Sequence, residues 1–248
     1  MVPWVFGSVL LALRLGPVLV FAPPFSLTRT PVVFRVLLAL GLAGVMLAWR
    51  PSAIEGLAIS PGGLVAGASR ELFLGGTFAL AFQLAFAALA FAGRTVDVQA
   101  GLGLAALINP TTRAQESLVG ALFALATGAV FFALDGHVQF FAIVSASLDA
   151  VPVGAWRGPT SLAPMLLFLS SAFFTAFGVV GAAVLAMLLA DLTVAALSRA
   201  APQMNALVLG LQVKTLILLA VLPLCLGAGG ALLVRLVRLT LDVLPRLA

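Results

Sequence analysis

Long apolar stretches broken by short polar ones set the pattern of this chain. Six of them stand out: Trp4–Ala22, Pro31–Trp49, Leu64–Ala92, Leu118–Leu148, Leu162–Leu197 and Ala206–Leu241. No period-two alternation runs through them, and their lengths predict helices. The first two end at Pro23-Pro24 and Arg50-Pro51, where proline stops a helix. About 20 residues cross the hydrocarbon core of a bilayer. The last four stretches are longer, roughly 45 to 55 Å if straight. Either they break, or they project from the membrane and pack on other protein. Gly75-Gly76, Gly136, Gly178, Gly181, Pro223 and Gly227-Gly229-Gly230 are the expected kink points. The pattern therefore predicts an all-α, membrane-associated chain of kinked helical hairpins.

Between the third and fourth stretches lies a segment of another kind, from Asp97 to Ser117. It begins and ends polar, yet Gly101 to Ile108 is an unbroken apolar run of Gly, Ala, Leu and Ile. It is too short and too glycine-rich to span a bilayer, and it closes on Asn109-Pro110, a turn signal. A solvated connector has no reason to carry such a run. The segment reads as one held inside protein, between two hydrophobic hairpins.

Composition agrees. Of 248 residues, 63% are hydrophobic and 8% charged, against roughly 25% charged in soluble domains. Too few charges exist to cover a surface in water. The net charge of +5 comes from singly scattered arginines, not from the basic patch that nucleic acid needs. Only Arg235, Arg238 and Arg246 gather, at the C-terminus, and that tail suits anionic headgroups or an acidic partner. Cys225 is alone, so neither a disulfide nor a cysteine metal site fits within one chain. No basic residue precedes the first stretch, so it is expected to be retained rather than cleaved as a signal. Six crossings would divide the loop and flanking cations six against six, which gives no positive-inside orientation.

Few polar residues remain as candidates for chemistry. Arg14 lies deep in the first stretch, where a charge costs roughly 3 kcal/mol on insertion scales. It requires a partner on another helix or another subunit. Asp191 is the acid inside the fifth stretch, and Arg199, Lys214 or a neighbouring subunit can pair with it. Lys214, Arg199, Gln203 and Asn205 form a polar cluster around a hairpin turn. Asp135-Gly136-His137 interrupts the fourth stretch, with Asp135 expected to cap the helix that follows. Glu71 and Asp97 read as helix-end charges, with Asp97 and Glu116 flanking the central segment. No catalytic triad, zinc motif, phosphate loop or carboxylate pair occurs, so neither an enzyme nor a cofactor or metal site is expected. A small-solute permease is the main alternative, but it would be expected to carry a symmetrical counterpart to Asp191.

These residues resemble the FliR family of flagellar type III export-gate proteins. The likeness is carried by Arg14 and Pro17, Phe21-Ala22-Pro23, Asp97-Val98-Gln99-Ala100-Gly101 with Asn109-Pro110, Asp135-Gly136-His137, Pro152-Val153-Gly154, and Arg199 to Asn205. It implies a non-enzymatic subunit of a conduit for unfolded flagellar proteins, in the bacterial inner membrane within the basal body. The implied partners are FliP-like and FliQ-like subunits in a hetero-oligomer, FlhB-like and FlhA-like proteins, export substrates and membrane lipid. Residues 1–158 would be a FliP-like part and 159–248 a FliQ-like hairpin. A plug loop would occupy about 97–117, with Gly101, Leu102, Gly103, Leu104, Ala105, Ala106, Leu107, Ile108, Asn109 and Pro110 as its pore segment. Arg14, Asp97, Asp135, His137, Asp191, Arg199 and Lys214 would be buried charges or intersubunit pairing groups.

Overall fold

The computed structural model describes residues 2–57, 59–102, 117–159, 161–201, 203 and 206–248, with backbone alone for 206–209. Among the described residues every regular element is helical and no strand occurs. The α-helices are α1 (Val2–Phe21), α2 (Val32–Trp49), α3 (Pro61–Gln99), α4 (Leu118–Ala133), α5 (Gly136–Ala150), α6 (Ala163–Ala200) and α7 (Ala206–Val243). Short 3-10 turns cover Leu27–Arg29, Pro51–Ile54 and Leu244–Arg246.

The boundaries follow local chemistry. Proline at the first position opens α3, where its missing N–H costs nothing, and the Ser60 hydroxyl accepts the Gly63 N–H at 3.1 Å. Arg50-Pro51 ends α2 and starts a 3-10 turn. At the end of α4 the chain turns through Asp135, whose φ of 53° is left-handed. The resulting bend between α4 and α5 is 67°. Gly136 is required there, since a Cβ would stand 2.5 Å from the Phe131 ring.

At the other expected kink points the helix runs on. The helices α3, α6 and α7 contain 39, 38 and 38 residues without a break. At 1.5 Å per residue each is roughly 57 Å long, nearly twice the hydrocarbon core of about 30 Å. Among the described residues, five helices are long and apolar enough to cross a membrane, or six counting the bent α4–α5 pair. There the length excess is met by continuous helix, with a sharp break at Asp135-Gly136.

The chain packs into two compact units. The first comprises 1–85, 131–169 and 238–248; the second comprises 86–130 and 170–237. This division concerns contact, whereas the expected FliP-like and FliQ-like parts concern resemblance of segments. In the first unit α1 lies antiparallel to α2, with Gly44 beside the Trp4 ring and Gly7 beside Leu47. Its core holds Leu11, Leu15, Leu47, Leu74, Phe78 and Phe82. Phe82 and Phe131 stand edge-on and Phe140 tilted around Phe25, with ring centroids 5.6 to 6.3 Å apart, within the favoured range for aromatic pairs. The second unit buries Ala88, Leu89, Ala92, Val96, Phe123, Ala176, Val180 and Met187. Both leave large side chains uncovered, among them Phe34 and Leu37 on α2 and Phe174 and Leu189 on α6. Apolar faces of that extent need lipid or other protein against them.

Candidate functional site

Two constructions hold the buried charges among the described residues, one in each unit.

In the first unit, Arg14 and Glu71 are fully buried. The guanidinium grips the carboxylate with two parallel bonds, Nε to Oε2 at 2.6 Å and one terminal nitrogen to Oε1 at 2.9 Å. Further donor atoms reach the Ser147 hydroxyl at 3.0 Å and the Val151 carbonyl at 3.1 Å. Glu71 Oε1 also accepts the Gly154 N–H at 2.7 Å. The pair therefore ties α1, α3, the end of α5 and the turn at Val153-Gly154 to one point. Gly75, one turn beyond Glu71, makes the approach possible: a Cβ there would strike the Arg14 carbonyl. Such fork-to-fork pairing with added hydrogen bonds is what lets an ion pair exist without water. Arg14 thus finds its partner inside the chain, on another helix. Glu71 is not a charge at a helix end but that partner. The sequence signal for it was faint: an acid ten positions into an apolar helix, one turn before a Gly-Gly pair.

In the second unit the structure reaches the central segment from both ends. Asp97, in the last turn of α3, is 5% exposed. It accepts the Ser117 hydroxyl at 2.6 Å and the Val119 N–H at 3.3 Å. Ser117 is the N-cap of α4, its Oγ accepting the Gly120 N–H at 2.7 Å. A carboxylate beside a helix N-terminus is also favoured by the helix dipole. Asp97 and Ser117 therefore clip the two ends of the segment together. Just below, Gly93 and Gly120 let α3 and α4 touch backbone to backbone, so a Cβ on Gly93 would land on Gly120. Gly93→Ala should lower stability by about 1–3 kcal/mol, read as a fall in the melting temperature of the purified protein in detergent.

Of the segment itself, Gly101 and Leu102 form the turn that leaves α3, Gly101 with φ of 80°. The Leu102 N–H bonds the Asp97 carbonyl at 3.0 Å. Gly101 packs so closely on Leu211 of α7 that no Cβ fits. Gly103, Leu104, Ala105, Ala106, Leu107, Ile108, Asn109 and Pro110 lie outside the described residues, as do Glu116 and Asn205.

The remaining polar candidates are not brought together with these. Asp191 pairs with Lys214 across α6 and α7, but its side chain is 52% exposed. Arg199 is exposed in the last turn of α6. Asp135 is exposed and makes no side-chain cap to α5; its left-handed backbone, not its carboxylate, starts that helix. His137 leans on the Phe132 ring at 5.5 Å, and its Nδ1 has no hydrogen-bond partner. Within the chain, then, Arg14 and Asp97 are buried charges, while Asp135, Asp191 and Arg199 are not. Among the described residues no cluster of His, Cys, Asp and Glu is placed to hold a metal ion.

Known proteins give this arrangement a setting. The family model of the bacterial export proteins, family 1, matches residues 5–239. The chain belongs to this family. The flagellar biosynthetic protein FliR of Bacillus subtilis is 26% identical over 247 residues, covering 96% of this chain and 93% of the relative. The FliR protein of Aquifex aeolicus is 30% identical over 64% of this chain and 62% of its own length. The Yop proteins translocation protein T of Yersinia pestis is 28% identical over 60% of this chain and 58% of its own length. This bacterial export protein is accordingly a membrane component of a type III export apparatus, and not an enzyme.

Proposed function

We propose that this export protein is a core subunit of the flagellar export gate, lining the conduit for unfolded flagellar proteins and plugging it with the segment Gly101 to Pro110. The supporting observation is the neck at Asp97 and Ser117. A chain has little reason to invest a buried carboxylate, an N-cap and a glycine-only helix contact in pinning a surface connector. Pinning makes sense if what hangs from the neck must return to one place after each displacement. Leu104, Leu107 and Ile108 supply the apolar closure, which excludes water and ions without binding the substrate strongly. Glycine and alanine between them keep the segment slim enough to move aside.

The uncovered faces of α2 and α6 suit FliP-like and FliQ-like neighbours in a hetero-oligomer of the inner membrane, within the basal body. FlhB-like and FlhA-like proteins would stand on its cytoplasmic side. Arg199 and Asp135, being exposed, are available to pair across such interfaces. The test is a photo-crosslinking residue at Leu107 in assembled complexes holding an export substrate stalled in passage. A covalent adduct to the stalled substrate is expected. Adducts to lipid alone would overturn the reading.

A further inference from the structure

All three tryptophans of the chain belong to one end of the first unit. Trp4 lies in the first turn of α1, beside Gly44 of the antiparallel α2. Trp49 closes α2 and is 83% exposed. Trp156 sits in the loop after α5, which is tied to the Pro51–Ile54 turn by the Val153 N–H to the Ala53 carbonyl at 2.9 Å. Arg50, Arg70 and Arg157 share that end: Arg50 pairs with Asp149, and Arg70 donates to the Gly154 carbonyl at 3.0 Å. Tryptophan and arginine gathered at one end of an apolar bundle mark the level of lipid headgroups.

A pocket of about 480 Å³ opens there, lined by Ser69, Arg70, Phe73, Trp156, Arg157 and Gly158. Its chemistry is that of an anion receptor. Among the described residues neither Arg70 nor Arg157 has a carboxylate partner. Trp156 is 7% exposed, yet its indole N–H is buried with no acceptor. An indole donor out of water and without a partner is costly, and its residue lines the same pocket as Arg70, Arg157 and Ser69. Below the polar residues the wall turns apolar at Phe73, 69% exposed, with Leu72 exposed beside it on α3. Polar donors above an exposed aromatic match a phosphate with acyl chains beneath it.

We propose that this pocket binds the phosphodiester headgroup of one anionic phospholipid. Arg70 and Arg157 hold the phosphate oxygens, Trp156 donates its indole N–H, and the acyl chains run along Phe73 and Leu72. The site does not depend on the plugging role proposed above; it anchors the first unit at a fixed depth.

The purified full-length protein in a neutral detergent, mixed with phosphatidylglycerol, phosphatidylcholine or inorganic phosphate, gives the test by native mass spectrometry. One tightly retained phosphatidylglycerol is expected, with phosphatidylcholine retained far less and millimolar phosphate failing to displace it. Arg70→Gln and Arg157→Gln should each weaken retention roughly fivefold. Because Arg70 also holds Gly154 and Trp156 is buried, the exposed Arg157→Gln serves as the variant that leaves the fold intact; Trp156→Phe, which removes the indole N–H, should weaken retention as well. Equal retention of the two lipids, or retention unchanged in Arg157→Gln and Trp156→Phe, would overturn the site. Displacement by phosphate as effective as by lipid would overturn the lipid as its occupant.

Discussion

Replacing Glu71 with alanine should be among the two most destabilising single substitutions of a polar residue in the first unit. Arg14 would keep its charge at zero exposure and lose both bonds of its fork. The Gly154 N–H would lose its acceptor at the same time. Removing one partner of a buried ion pair typically costs about 3–5 kcal/mol, comparable with a large part of the stability of a whole domain. Arg14→Ala should cost about as much, since it strands the carboxylate. The double replacement Arg14→Ala with Glu71→Ala should cost far less than the sum, because no charge is then left behind. Reversible unfolding of the four proteins in mixed micelles measures the cycle. Additive losses would mean that the two side chains do not depend on each other. A loss below about 1 kcal/mol from Glu71→Ala would place water at the site.

How much of this was legible in the sequence divides along a physical line. Apolar runs bounded by proline and glycine predict helices wherever the chain is long and uniform, and the helix limits follow the six stretches closely. The break at Asp135-Gly136 was also legible, since an acid and a glycine interrupt a run with no other Asp, Glu, Lys or Arg. The unbroken length of α3, α6 and α7 was not. Glycine permits a kink but does not require one; in α3, Gly75 and Gly93 serve as close-approach points against Arg14 and Gly120 instead. Long-range polar pairing was the least legible. Arg14 announced that it needed a partner, but nothing local distinguishes Glu71, 57 positions away, from other acids. The cap by Ser117 could have been found, as a serine directly before an apolar run is an N-cap signal. Its bond to Asp97 could not, because it depends on α3 and α4 meeting at two glycines.

Deleting Gly101 to Pro110 should leave an assembled gate that no longer holds back ions. The neck makes this deletion informative. Asp97 and Ser117 lie outside it. Helices α3 and α4 keep their cap and their backbone contact, so the complex should form in normal yield. On the plugging role proposed above, what is lost is the apolar closure, and a passage without it fills with water. Passive ion flux in cells or proteoliposomes should rise by an order of magnitude or more. Leu104→Asp keeps the length of the segment and should produce a smaller leak, because a charge admits water to the closure. Asp97→Ala should leak for a different reason. It removes the acceptor of the Ser117 hydroxyl and of the Val119 N–H, at a cost of about 1–3 kcal/mol, and so frees the hinge while leaving the plug intact. Three routes to one leak, by removing the closure, wetting it or freeing its hinge, separate a plug from a spacer. Normal complex yield with unchanged permeability in all three would show that the barrier to ions is built elsewhere in the gate.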